Sequence, residues 1–157
     1  MKRLQNLFAS VAALGLFAMM VLTFADVIGR KFFNQSLTGA VELTEIFMMV
    51  MIYFSLPLAS IHGEHIVFDL LDRTLSSNLL KWQRTLSHLL TALIFGGAAW
   101  VVTTRAVRTM EFGDETATLG IKVGPFHYMI AVLLGVTALT HLWLCWRDLN
   151  AKRSQPA

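Results

Sequence analysis

The sequence predicts an all-α integral membrane protein: four transmembrane helices, plus a short amphipathic interfacial helix between spans two and three. Three observations lead there. Leu4–Ala25, Ile46–Gly63, Thr85–Thr104 and Val123–Trp146 contain no Asp, Glu, Lys or Arg, over 22, 18, 20 and 24 residues. As α-helices such runs measure about 27 to 36 Å, against a bilayer hydrocarbon core of about 30 Å. The chain is 55% hydrophobic and only 15% charged, where soluble domains carry about a quarter charged residues.

The spans are expected at about 4–28, 43–63, 85–105 and 124–147 in a single membrane domain over 1–157. The short connections leave no room for a soluble domain between them. The first run follows Lys2 and Arg3, as a signal peptide would. It outlasts a signal h-region and enters Phe24-Ala25-Asp26-Val27-Ile28-Gly29-Arg30 with no small-residue cleavage site, so a retained span is expected. The single cysteine, Cys145, excludes an intrachain disulfide.

Four spans put both termini on one side. That side holds Lys2, Arg3, Arg73, Lys81, Arg84, Arg147, Lys152 and Arg153, and the other holds Arg30, Lys31, Arg105, Arg108 and Lys122. The excess of basic residues favours cytoplasmic termini.

The first connection, 26–45, reads as end-of-span chemistry. Asp26 and Arg30 are four apart and can pair on one helical face. Glu42 and Glu45 sit where a helix N-terminus favours carboxylates, behind Ser36, Thr38 and Gly39 as turn or cap residues. In the second connection, apolar positions 68, 71, 75, 79 and 82 alternate with polar ones at helical spacing. This predicts an amphipathic segment at about 66–82 lying in the interface, with Trp82 at headgroup depth. The third connection carries Gly113, Gly120 and Gly124-Pro125 and reads as an irregular surface loop, with Pro125 in the first turn of span four.

Chemistry is sparse. No span has a carboxylate, Lys or Arg at mid-depth, which argues against a self-sufficient proton-coupled pump. Pro57 reads as a packing kink in span two. No nucleophile–base pair, phosphate loop or thiolate cluster appears, and His62-Gly63-Glu64-His65 lacks a third protein ligand for zinc. No enzyme activity, cofactor, metal site or nucleic-acid partner is expected. One alternative comes from His88 and His141, at similar depth on spans three and four: a haem-binding anchor subunit of a respiratory complex.

Two blocks carry a resemblance. Asp26-Val27-Ile28-Gly29-Arg30-Lys31-Phe32-Phe33-Asn34 with Gly39-Ala40-Val41-Glu42-Leu43-Thr44-Glu45 is the first. His62-Gly63-Glu64-His65-Ile66-Val67-Phe68-Asp69-Leu70-Leu71 is the second. Together they resemble the small membrane subunit (DctQ-type) of tripartite ATP-independent periplasmic (TRAP) transporters; Val123–Tyr128 fits that family more loosely. The resemblance implies a small permease subunit in the bacterial inner membrane. Such a subunit supports a large membrane subunit during sodium-coupled uptake of an organic acid delivered by a periplasmic binding protein. Sodium would bind the large subunit, and contact with the binding protein can be indirect. Lipid is the remaining partner. It also implies that Asp26, Arg30, Asn34, Glu42, Glu45, His65 and Asp69 lie at a subunit interface.

The charge distribution yields a topological test. Reporter fusions after Asn34 and after Asp114 are expected to behave as periplasmic and a fusion after Arg73 as cytoplasmic. A periplasmic signal at the Arg73 junction contradicts the expected threading.

Overall fold

The computed structural model describes residues 2–62 and 77–150. They form four long helices: α1 (Lys2–Phe33), α2 (Ala40–His62), α3 (Ser77–Phe112) and α4 (Gly124–Asn150). All four are long and apolar enough to cross a membrane. No strand forms among the described residues, only an isolated antiparallel bridge between Glu115 and Lys122. The expected amphipathic segment lies mostly outside the described residues, and its last part, 77–82, belongs to α3.

The helices run on past the charge-free stretches. α3 has 36 residues and is therefore about 54 Å long, well beyond the hydrocarbon thickness. Arg105 and Arg108 lie within it and do not end it. Its end is set one turn later by Gly113, whose φ of +67° is cheap only without a Cβ. The Asp114 N–H then returns to the Thr109 carbonyl at 3.1 Å, closing the helix with a left-handed residue and a bond back into the last turn. α1 ends in a related way at Asn34, the described non-glycine residue with positive φ (+53°). Pro125 takes the second position of α4, where its missing N–H has no helical acceptor to lose.

Helix packing proceeds as a chain, α1 on α2, α2 on α4 and α4 on α3. α4 is the central element. Half of its most apolar window is buried, compared with 6% for those of α1 and α3. Its inward residues Ile130, Leu134, Thr137, His141 and Cys145 recur every three or four positions, while Val132, Leu139 and Trp146 face away. Small residues set the close approaches, as expected where lipid offers no hydrophobic contrast. Gly15 of α1 approaches Phe47 and Met51 of α2, the fully buried Ala106 lies on α3, and the α4 residue Gly124 abuts the Met110 side chain of α3. Phe8 and Phe54 add an edge-on ring contact at 5.7 Å between α1 and α2.

Pro57 is fully buried within α2, one turn before the buried Ser60, whose hydroxyl donates to the Leu56 carbonyl at 2.9 Å. Both sit on a packed face of α2.

Ala106→Leu is expected to overpack the α3 contact and cost about 1–3 kcal/mol. Ile94→Ala, at a position 69% exposed, is expected to change little. Unfolding in mixed micelles measures both, and a tolerated Ala106→Leu would show that α3 is not closely packed there.

Candidate functional site

The connections 34–39 and 113–123 lie at one end of the helices, here the loop end; the start of α1 and the end of α4 lie at the other. The polar residues of the loop end form two nested locks.

Asp26 makes the first. It is only 9% exposed, about two turns before the end of α1. One of its carboxylate oxygens accepts from the Ser36 hydroxyl and from the Leu37 N–H, both at 2.9 Å. The other meets the Arg30 guanidinium at 2.7 Å. Asp26 thus draws the chain back across the end of α1 as it turns toward α2. Gly29 permits the return, since a Cβ there would lie 3.0 Å from the Gln35 carbonyl oxygen. The i, i+4 partnership of Asp26 and Arg30 agrees with the spacing in the sequence; the grip on Ser36 and Leu37 does not follow from spacing.

Glu42 makes the second. In the first turn of α2, its carboxylate accepts from the Thr118 N–H at 2.6 Å and from the Leu119 N–H at 2.9 Å. These amides belong to the third connection, which is not irregular. Thr116 and Ile121 pair at 2.9 Å, Val123 donates to Asp114 at 3.1 Å, and the Thr116 hydroxyl accepts from the Ile121 N–H at 3.0 Å. The result is a miniature hairpin whose tip offers two N–H groups to one carboxylate. Beside this contact the Leu119 side chain lies directly over Gly39, where a Cβ would come within 2.6 Å of a Leu119 methyl carbon. Gly39 also holds a φ of +77°, so both backbone and space require glycine. Sequence reasoning placed Gly39 in the turn ahead of α2, as its positive φ shows, but missed Thr118 and Leu119, whose contacts with Glu42 and Gly39 span distant parts of the chain.

Of the remaining expected interface residues, Asn34 and Glu45 are exposed, and the Arg30 side chain is 61% exposed although tethered to Asp26. Glu45 borders an apolar groove between α1 and α2 lined by Leu22, Ala40, Val41 and Met48. His65 and Asp69 lie outside the described residues.

At the opposite end His88 and His141 do come together, with their Nδ1 atoms 3.2 Å apart. The His141 ring stacks on Phe95 at 6.2 Å, and His88 Nε2 lies 3.7 Å from Asp148. This arrangement does not fit a haem. Two imidazole ligands need a metal between them with bonds of about 2 Å each, and a porphyrin plane must pass between the rings. Here the facing nitrogens stand at hydrogen-bond distance, one donating and one accepting. The haem-anchor alternative finds no support.

Glu42→Ala is expected to release the hairpin tip without unwinding α2. Amide exchange at Thr118 and Leu119 should quicken about tenfold or more while the middle of α4 keeps its protection. Unchanged exchange at both amides would show that the carboxylate does not hold the loop.

Comparison with protein families gives one description, "Tripartite ATP-independent periplasmic transporters, DctQ component", which matches residues 19–151. Curated proteins give no match. The matched stretch contains both locks, the last part of α1 and all of α2, α3 and α4. A four-helix multi-pass membrane protein of this length, matched over most of its sequence, belongs to the DctQ family of transporter components.

Proposed function

We propose that this chain is the small permease subunit of a TRAP-type secondary transporter, seated in the bacterial inner membrane with both termini cytoplasmic. It supports a large membrane subunit that carries the sodium and substrate sites and takes up an organic acid delivered by a periplasmic binding protein. The observation that carries this reading is the family match over residues 19–151. Two physical features support it. The spans have no ionisable carboxylate, Lys or Arg at mid-depth, so the chain offers no pathway of its own for a charged substrate. α1 leaves Leu14, Phe17, Met20 and Phe24 each more than half exposed, an apolar face for a membrane-embedded partner or for lipid.

Within this reading the expected interface residues divide by role. Arg30, Asn34 and Glu45 present polar groups to the partner at the loop end of α1 and α2. Asp26 and Glu42 act behind them, fixing the turn and the hairpin that shape the surface. His65 and Asp69 complete the interface from the second connection.

Co-purification with the large subunit tests the proposal. Arg30→Ala and Glu42→Ala are expected to insert normally, yet to weaken association about tenfold or more. Uptake should fall in parallel, with the binding protein's own affinity for substrate unchanged. Normal assembly and transport by both variants would make these charges boundary anchors and remove them from the interface.

A further inference from the structure

The loop end holds a second polar feature that neither lock uses. Arg105 and Arg108 lie three apart on α3 and line a recess closed by Phe112, Asp114, Val123 and His127. Among the described residues neither guanidinium holds an ion pair, although other arginines of the chain do. Arg105 follows directly on the charge-free stretch Thr85–Thr104, which spans about 30 Å as a helix. Arg105 therefore stands at the hydrocarbon edge and Arg108 about 4.5 Å farther out, at phosphate depth.

We propose that this recess binds the phosphodiester headgroup of a phospholipid in the leaflet at the loop end. Charge and chemistry agree. Two guanidiniums and the Asp114 carboxylate together carry one net positive charge, matching the single negative charge of a phosphodiester. Arginine forks suit phosphate oxygens at two points. The His127 Nδ1 is already engaged by the Val123 carbonyl at 3.2 Å, which fixes the ring at the wall of the recess. Val101, 57% exposed and one turn inward of Arg105 on the same face of α3, supplies an apolar flank for the glycerol and upper acyl chain. An acidic protein segment would use the same guanidiniums but would gain nothing from that flank at this depth.

The test uses the full chain, purified in mild detergent, delipidated, and given phosphatidylglycerol or phosphatidylethanolamine, with native mass spectrometry as the readout. One retained phospholipid per chain is expected. Arg105→Gln with Arg108→Gln should lower occupancy about tenfold. Lys122→Gln, outside the recess, should leave it unchanged. Arg105→Lys with Arg108→Lys, which keeps the charge, should retain more lipid than the glutamine pair. Full retention by the glutamine pair would overturn the proposal. So would binding of inorganic phosphate as tight as that of lipid, which would mark a free-anion site. A wild-type chain that holds no lipid, but whose arginines are covered by an acidic segment in the assembled transporter, would overturn it in favour of protein docking.

Discussion

Two hydrogen bonds to the Glu42 carboxylate link the halves of this molecule at the loop end. α1 and α2 form one packed pair, α3 and α4 another, and the helical join between the pairs is the contact of α2 with α4. Glu42 adds a polar join by taking both N–H groups at the tip of the α3–α4 connection. A carboxylate held by two amides is a charge-assisted, two-point contact, which fixes direction as well as distance. The neighbouring features serve the same end. Gly39 makes room for Leu119, and Asp26 sets the turn that delivers Gly39 and Glu42 to their places.

Such a clamp matters because burial among the described residues centres on α4, while α1 and α3 stay largely exposed. The helix contacts run in a chain, leaving α1 and α3 with apolar side chains turned outward. In lipid those side chains cost nothing to expose, and association depends on close packing and polar contacts. A helix array of this kind has ample apolar surface left for a larger membrane partner, as a subunit of a TRAP transporter requires. Rigidity at the loop end then falls to the polar locks, since packing along the chain of contacts fixes each helix only against its neighbours.

Much of the fold was legible and much of the site was not. Charge-free stretches revealed the four helices, because a bilayer excludes charge over a fixed thickness. They could not reveal helix ends, because α3 continues through Arg105 and Arg108 until Gly113 supplies a terminating conformation. The Asp26–Arg30 pair was visible, being local and set by helical spacing. Glu42 was visible as an acidic first-turn residue, but its partners lie 76 and 77 positions away and are backbone amides, which carry no residue signature. His88 and His141 were correctly placed at one depth. Their ring geometry, which lends the haem alternative no support, depends on side-chain packing that spacing does not encode.

Glu42, Gly39 and Leu119 act as one clamp. A double-mutant cycle with Glu42→Ala and Leu119→Ala, read as unfolding free energy in mixed micelles, tests it most directly. The double variant is expected to lose clearly less than the sum of the single losses, because either change alone already frees the hairpin tip. Strict additivity would contradict it, showing that the carboxylate and the leucine hold separate parts of the structure.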